Sequence, residues 1–224
     1  MGSHTIKSVL KKPLRLSNRQ ILLFKIVIHL LSLGFVANML YLTITDNIAG
    51  DPVDALLHFS GIGSLNLLLL SLSITPAAMK LKASALIRLR RLLGLYTFFY
   101  AFLHLLTFIL FELQLEWSLI LTEIVKRPFI TVGFSAWLIL LLLTITSTKK
   151  LQQKMGEHWQ SLHGWIYVAA PLVVIHFYWS VKSEIVEPIL YALTLLILLW
   201  SRKEKIIRWA LPLIQKLPWL QSTK

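Results

Sequence analysis

Six runs of apolar residues, separated by short polar segments, dominate the chain. A helix that crosses the hydrocarbon core of a bilayer needs about 20 predominantly apolar residues, and most of these runs approach or reach that length. We therefore predict an all-α, polytopic membrane protein that forms a six-transmembrane-helix bundle. The runs lie near residues 21–44, 55–78, 92–111, 128–148, 160–180 and 185–200.

The composition excludes a soluble globular enzyme. Hydrophobic residues make up 56% of the 224 residues and charged residues 15%, whereas soluble domains carry roughly 25% charged residues. The longest segment between runs, residues 112–127, leaves no room for a soluble catalytic domain, so no catalytic residue is predicted. The chain has no Cys, which excludes disulfides, iron–sulfur clusters and thiolate metal sites.

Charged residues are distributed unequally between the two ends of the runs. Of the 23 Lys and Arg residues, all but Lys126, Arg127 and Lys182 lie on one side, and eight of the ten acidic residues lie on the other. Segments rich in Lys and Arg remain in the cytoplasm, so both termini are predicted to be cytoplasmic. The net charge of +13 therefore reflects membrane topology, and nucleic acid is not an expected partner.

Three segments follow from this pattern: a basic N-terminal segment (1–20), the transmembrane domain (21–200) and a cytoplasmic tail (201–224). The tail combines an apolar stripe with basic residues and is interrupted by Pro212 and Pro218. Such a segment is too broken to cross a bilayer, and we predict that it lies on the lipid of the cytoplasmic leaflet. The alternative is a frayed tail. No internal repeat is evident in the sequence.

Histidines are the main ionisable residues within the runs. Apart from Lys25 and Glu187 near run ends, the runs contain no Asp, Glu, Lys or Arg. A proton-coupled transporter usually needs a carboxylate inside the membrane, so imidazoles without carboxylates indicate metal ligation, above all of haem iron. The histidines within or at the edges of runs are His29, His58, His104, His163 and His176.

His104 and His176 are predicted to lie at matching depth in the outer halves of two different helices. Two neutral imidazoles that face each other can hold one haem through both axial positions, which leaves no open position for oxygen. For His29 and His58, a role in helix–helix hydrogen bonding is the favoured interpretation.

His163 is the candidate ligand of a second haem. It precedes His176 by 13 residues, a distance of about 20 Å along a helix, but the two rings would point about 140° apart on an ideal helix. Pro171 lies between them, and a proline kink is expected to supply part of the correction.

The partner of His163 is not a histidine. Arg90 lies 14 residues before His104, on nearly the same side of the predicted helix, where a histidine ligand would be expected. The sequence therefore offers one bis-histidine pair and one incomplete site. Three alternatives remain open: Arg90 or Arg91 contacts haem propionates, water completes the iron, or the second haem is absent.

An ordered set of short motifs resembles a known family. Over residues 10–205, the set is similar to the haem-binding membrane subunits of periplasmic methionine sulfoxide reductase systems, the MsrQ (YedZ) family. That family belongs to the ferric-reductase-like transmembrane domains. The motifs are Gly50-Asp51-Pro52, His58-Phe59-Ser60-Gly61, Arg90-Arg91-Leu92-Leu93-Gly94, His104-Leu105, Lys126-Arg127-Pro128-Phe129, Trp159-Gln160-Ser161-Leu162-His163 and His176-Phe177-Tyr178-Trp179.

The resemblance implies b-type haem, one or two per chain, with iron held by His104, His163 and His176. It also implies FMN, which we do not assign to residues. The implied partner is MsrP, a periplasmic molybdopterin-containing reductase that repairs oxidised methionine in envelope proteins. Electrons would come from the quinone pool or a cytosolic flavin reductase, and the location would be the bacterial inner membrane.

The predicted function is therefore that of a non-catalytic electron-transfer subunit. Electrons would enter near His163 and the basic segment Lys80–Arg91 and leave on the opposite side. That segment is suited to binding a flavin phosphate or an anionic lipid, but membrane topology alone is the favoured explanation of its charge. Two alternatives remain: a stand-alone ferric or superoxide-type haem reductase, and a haem-free membrane scaffold.

Overall fold

The computed structural model describes residues 15–181 and 184–215, except for the side chain of Leu213. Most of the predicted N-terminal basic segment, Lys182 and the tail from residue 216 onward lie outside the described residues. Across the described ranges the secondary structure is helical, with no strand. The predicted all-α class is therefore confirmed.

Ten α-helices run through the described residues. They are α1 (Asn18–Ile44), α2 (Pro52–Lys80), α3 (Arg90–Thr107), α4 (Trp117–Lys126), α5 (Pro128–Ile145), α6 (Lys149–Met155), α7 (Glu157–His163), α8 (Ile166–Ser180), α9 (Val186–Trp200) and α10 (Lys203–Gln215). A 3₁₀ helix (Ser84–Leu89) precedes α3, and a π-helical turn (Phe108–Glu112) follows it. The expected loop at 112–127 thus contains the short helix α4.

Five helical segments in the described ranges are long and apolar enough to cross a membrane. They are α1, α2, Ser84–Glu112, α5 and Glu157–Ser180. The sixth predicted span, α9, is apolar but has only 15 residues, or about 22 Å of helix. The chain is therefore a multi-pass membrane protein with five helical segments of spanning length and one shorter apolar helix in the described ranges.

Local sequence signals explain where the spans begin. Ser17 caps α1 in a reciprocal pair: its Oγ accepts from the amide of Gln20 at 3.2 Å, and Gln20 Oε1 accepts from the amide of Ser17 at 2.8 Å. Asp51 caps α2, and proline occupies its first turn, as it does in α5. Proline is suited to this position because the first helical amides have no partner within the helix.

The chain divides into two compact units, the first ending at Ile120 and the second beginning at Leu121. In the first unit, α2 packs along α3. Ser64 Oγ of α2 donates to the carbonyl of Thr97 at 2.9 Å, and the Tyr100 hydroxyl of α3 donates to the carbonyl of Ser32 in α1 at 2.7 Å. Hydrogen bonds between helices are typical of membrane bundles, where lipid offers no alternative partner.

In the second unit, α5 packs along α8, and α9 contacts α8. The α5–α8 contact buries small side chains, those of Ala136, Ala169 and Ala170. Small residues allow two helix backbones to approach closely, which is the main source of packing energy between helices in lipid.

The segment that carries His163 and His176 is interrupted at Gly164–Trp165, between α7 and α8, while Pro171 lies inside α8. A change in the relative direction of the two imidazoles was expected at Pro171. The structure instead has an interruption of the helix earlier in the chain. About four residues here form 3₁₀-type turns, and each of them advances the helix by 120° instead of 100°. The angle between the two imidazoles around the helix axis therefore falls from ~140° to roughly 60°. The amides that donate to carbonyls three residues earlier are those of Gly164, Trp165, Tyr167 and Val168.

The described part of the tail, up to residue 215, contains one helix, α10, which continues through Pro212. The expectation that Pro212 interrupts the segment was therefore wrong, and Pro218 lies outside the described residues. Trp209 attaches α10 to α7 within the second unit, because its Nε1 donates to the carbonyl of Ser161 at 2.8 Å. A Cβ added at Gly164 would collide with the Trp209 indole. Contact between α10 and lipid remains a prediction.

Candidate functional site

His176 of α8 is anchored to α5. Its Nδ1 donates to the backbone carbonyl of Phe129 at 2.7 Å. The Phe129 ring lies nearly parallel to the imidazole, with centroids 6.1 Å apart and an angle of 23° between the planes. The side chain is half-buried. One backbone acceptor and one aromatic neighbour therefore restrict this imidazole.

His104 of α3 is anchored to α2 in the same way. Its Nδ1 donates to the carbonyl of Leu57 at 2.9 Å, and Ser60 Oγ lies 3.5 Å from the same nitrogen. The Ser60 hydroxyl itself donates to the carbonyl of Leu56 at 2.6 Å. The carbonyl of Leu57 is therefore the principal partner of the imidazole nitrogen.

The two units thus repeat one arrangement. In each, the imidazole lies 47 residues after the carbonyl that it contacts, and a glycine, Gly61 or Gly133, follows that carbonyl by four residues. A Cβ added at Gly61 would lie 3.2 Å from His104 Nδ1, and a Cβ added at Gly133 would lie 2.6 Å from His176 Nδ1. Neither glycine was given a role from the sequence: Gly61 appears there only as part of the motif His58-Phe59-Ser60-Gly61, and Gly133 is a glycine inside an apolar run.

The hydrogen bonds determine the chemistry of both imidazoles. A carbonyl oxygen only accepts, so Nδ1 carries the proton, and in the neutral ring the lone pair lies on Nε2. A histidine that ligates a metal usually donates its other ring nitrogen to a carbonyl or carboxylate, which orients the ring and increases its basicity. The donor set around His104 and His176 therefore fits iron ligation through Nε2.

His163 has different surroundings. Its Nε2 lies 3.1 Å from Thr146 Oγ1, and the Thr146 hydroxyl donates to the carbonyl of Leu142 at 2.7 Å. Since that hydroxyl proton is already used, His163 Nε2 donates to Thr146. The Trp159 indole stacks on the imidazole, with ring centroids 4.0 Å apart. Ligation through Nε2 would therefore replace the hydrogen bond to Thr146.

The arginines predicted to contact a cofactor lie at the start of α3. Arg90 is half-buried, and its carbonyl accepts from Ser71 Oγ at 3.4 Å, while Arg91 is exposed. Both belong to the first unit with His104, whereas His163 belongs to the second with His176.

The remaining histidines of the spans have other environments. His29 is exposed on α1, and its Nδ1 lies 2.6 Å from the Tyr96 hydroxyl of α3. This contact agrees with the helix–helix role that the sequence favoured for His29. His58 is exposed on α2.

Comparison with known proteins places this chain in a family. The model of the ferric reductase like transmembrane component matches residues 60–174. The heme-binding subunit MsrQ of a protein-methionine-sulfoxide reductase from Cronobacter sakazakii is 42% identical, over 88% of this chain and 98% of the relative. The subunit of the same name from Xanthomonas campestris pv. campestris is 48% identical, over 70% of this chain and 74% of the relative.

A third relative of that name, from Pectobacterium carotovorum, is 42% identical over 88% of this chain and 99% of its own length. No solved structure matches. The resemblance seen in the motifs is thereby confirmed across most of the chain, and the protein belongs to the MsrQ family of ferric-reductase-like transmembrane proteins.

Proposed function

We propose that this chain is a haem b electron-transfer subunit that delivers electrons across a membrane to a methionine sulfoxide reductase. The observation that carries the proposal is the shared geometry of His104 and His176, each with Nδ1 donating to a helix carbonyl. The names of the similar proteins support it, because they describe heme-binding subunits of such reductases.

His104 and His176 are the residues that would hold the iron of one haem in this proposal. Their Nδ1 protons are held by Leu57 and Phe129, so each ring offers the Nε2 lone pair to iron. When bound, haem iron ligated by two imidazoles supplies one-electron redox chemistry with no open position for oxygen. The role of the protein is to orient the rings and to exclude water from them.

A second haem is proposed at His163, as the resemblance implies. Its contacts with Thr146 and Trp159 require the imidazole to exchange one hydrogen bond for iron. The alternatives for its partner are unchanged: Arg90 or Arg91 binds propionates, water completes the iron, or this haem is absent. A haem count distinguishes one haem from two.

We propose the bacterial inner membrane as the location, with both termini in the cytoplasm, on the strength of the charge distribution. Electrons would then enter near His163 from the quinone pool or from a cytosolic flavin reductase. An open cleft of about 570 Å³ is lined by Lys149, three glutamines, Gly156 and Trp159, the residue whose indole stacks on His163. FMN is proposed from the family resemblance alone and is not assigned to these residues.

The proposed electron acceptor is a periplasmic molybdopterin methionine sulfoxide reductase, MsrP. The outer segments carry eight acidic and three basic residues, so a partner with a basic face would be drawn toward them. Association measured at rising salt concentration tests this docking, because attraction between exposed charges weakens as salt screens it. Association that is unchanged by salt would exclude a charge-steered interface.

The decisive experiment is a dithionite-reduced minus oxidised absorption spectrum of the detergent-purified chain, with a pyridine haemochrome count. We expect a b-type spectrum and one or two haems. His104→Ala and His176→Ala should each remove the same haem, whereas His58→Ala, at an exposed histidine of α2, should retain the wild-type content. Wild-type haem content in His104→Ala or His176→Ala would overturn the ligand assignment.

Other outcomes would favour the alternatives. If the purified protein is colourless and acquires no haem spectrum when haem is added, the result would identify a membrane scaffold. A haem protein that reduces soluble iron or oxygen rapidly without a protein partner would identify a stand-alone reductase. Flavin released by acid and detected by fluorescence would support FMN, and its absence from the purified chain would contradict that part of the proposal.

A further inference from the structure

Gly61 and Gly133 make two helix carbonyls accessible to imidazoles. In an α-helix, each carbonyl accepts the amide of the residue four positions later, so Leu57 pairs with Gly61 and Phe129 with Gly133. A carbonyl oxygen has a second lone pair. The imidazole of His104 or His176 uses this second lone pair, approaching over a residue that has no Cβ.

We propose that Gly61 and Gly133 are positioning residues for the haem ligands, an inference that rests on the proposed function. They act through His104 and His176 and touch no reacting atom themselves. Because each glycine keeps a carbonyl within reach, Nδ1 stays protonated and Nε2 is left to bind iron. The same hydrogen bond makes the imidazole a stronger donor to iron, which favours the ferric state and lowers the midpoint potential.

The two positions differ in how much space they leave. At position 133, a Cβ would lie 2.6 Å from Nδ1 and 2.8 Å from Cε1 of His176, closer than real contacts allow, so the ring would have to move. At position 61, the corresponding distances to His104 are 3.2 and 3.3 Å. A shift of a few tenths of an ångström would relieve that contact. Alanine should therefore disturb His176 more than His104.

The chain provides matched controls. Nothing lies within 4 Å of a Cβ added at Gly94, which is on the same helix as His104, or at Gly34 on α1. Alanine forms helices better than glycine does, so Gly34→Ala and Gly94→Ala should leave the fold intact. Any effect specific to positions 61 and 133 then arises from the imidazoles.

The test uses the full chain in lipid nanodiscs, as wild type, Gly61→Ala, Gly133→Ala, Gly34→Ala and Gly94→Ala. Hemin is titrated into the haem-free proteins, and the loaded proteins are examined by electron paramagnetic resonance and redox titration. Loss of an outer hydrogen-bond partner typically lowers metal affinity about 10–100-fold, and we expect this for Gly133→Ala. Gly61→Ala should show a smaller loss, and both variants should show an altered low-spin ferric signal and a raised midpoint potential.

The outcomes separate the two proposals. If wild type binds haem but Gly133→Ala matches Gly94→Ala in affinity, signal and potential, the positioning role is overturned and the proposed function stands. If wild type binds no haem, the proposed function itself fails. If Gly133→Ala elutes as an aggregate or loses helicity, Gly61→Ala decides, because its mild contact is compatible with folding. A signal and potential unchanged in Gly61→Ala would then overturn the inference.

Discussion

The indole of Trp159 stacks on the imidazole of His163, with ring centroids 4.0 Å apart, and its Nε1 donates to the carbonyl of Thr146 at 2.9 Å. Thr146 Oγ1 in turn accepts from His163 Nε2. Three side chains from α7 and from the end of α5 therefore form one cluster. This cluster holds His163, and its strength can be measured separately from haem content.

Removing the hydroxyl of Thr146 should loosen His163. We expect Thr146→Val to lower the free energy of unfolding by about 1 kcal/mol, the usual contribution of one hydrogen bond. Trp159→Phe, which keeps an aromatic ring but removes the Nε1 donor, should cost a similar amount. Unfolding in mixed micelles measures both variants and their double mutant, and strictly additive effects would show that the three side chains do not form a coupled cluster.

The tail helix should detach when its tryptophan anchor is lost. Trp209 is half-buried, donates to the carbonyl of Ser161, and packs edge-to-face near Trp165 and Tyr167. Trp209→Ala should destabilise docking of α10 by about 2 kcal/mol, roughly half the cost of truncating a fully buried tryptophan. Amide exchange of residues 203–215 should then lose roughly 30-fold in protection.

Two variants make the tail experiment specific. Gly164→Ala should have the same effect as Trp209→Ala, because the added Cβ collides with the indole. Trp117→Ala removes an indole of α4 that is 71% exposed and should leave exchange of the tail unchanged. Unaltered protection in Gly164→Ala would contradict the docked position of Trp209.

The hydrogen bond from Ser64 to Thr97 should contribute measurably to the α2–α3 contact. Both residues are buried, and the distance is 2.9 Å. We expect Ser64→Ala to lower the free energy of unfolding by about 0.6–1.5 kcal/mol. Ser73→Ala is the control, because Ser73 Oγ donates within its own helix, to the carbonyl of Leu70. Equal effects of the two substitutions would argue against a special contribution of the interhelical bond.

The pair formed by His29 and Tyr96 should be structural. Tyr96→Phe leaves a lipid-exposed imidazole without its hydroxyl partner and should cost about 1–2 kcal/mol of unfolding free energy. The double variant His29→Leu/Tyr96→Phe replaces both partners by apolar groups and should be within about 0.5 kcal/mol of wild type. Haem content should match wild type in both, and a reduced content would place this pair in the functional site.

Several features were predictable because they depend on local sequence. The run at 55–78 predicted α2, which begins at Pro52 because Asp51 caps its start, and which ends at Lys80. Pro128 marks the first turn of α5. Other features were not predictable. Helix α4 lies in a segment that was predicted to be a loop. The interruption at Gly164–Trp165 depends on backbone hydrogen bonds that the periodicity of apolar residues does not reveal.

The sequence by itself determined the class of the molecule, its spans and the candidate ligands. Long apolar runs have few structural alternatives to a helix in lipid, since every backbone polar group must be hydrogen-bonded within the segment. Histidines are recognisable as candidate ligands because the runs contain almost no other ionisable residues. Only the tertiary structure decided which ring nitrogen of His104 and of His176 is protonated. That depends on the carbonyls of Leu57 and Phe129, which lie on neighbouring helices and come within reach because Gly61 and Gly133 have no side chain.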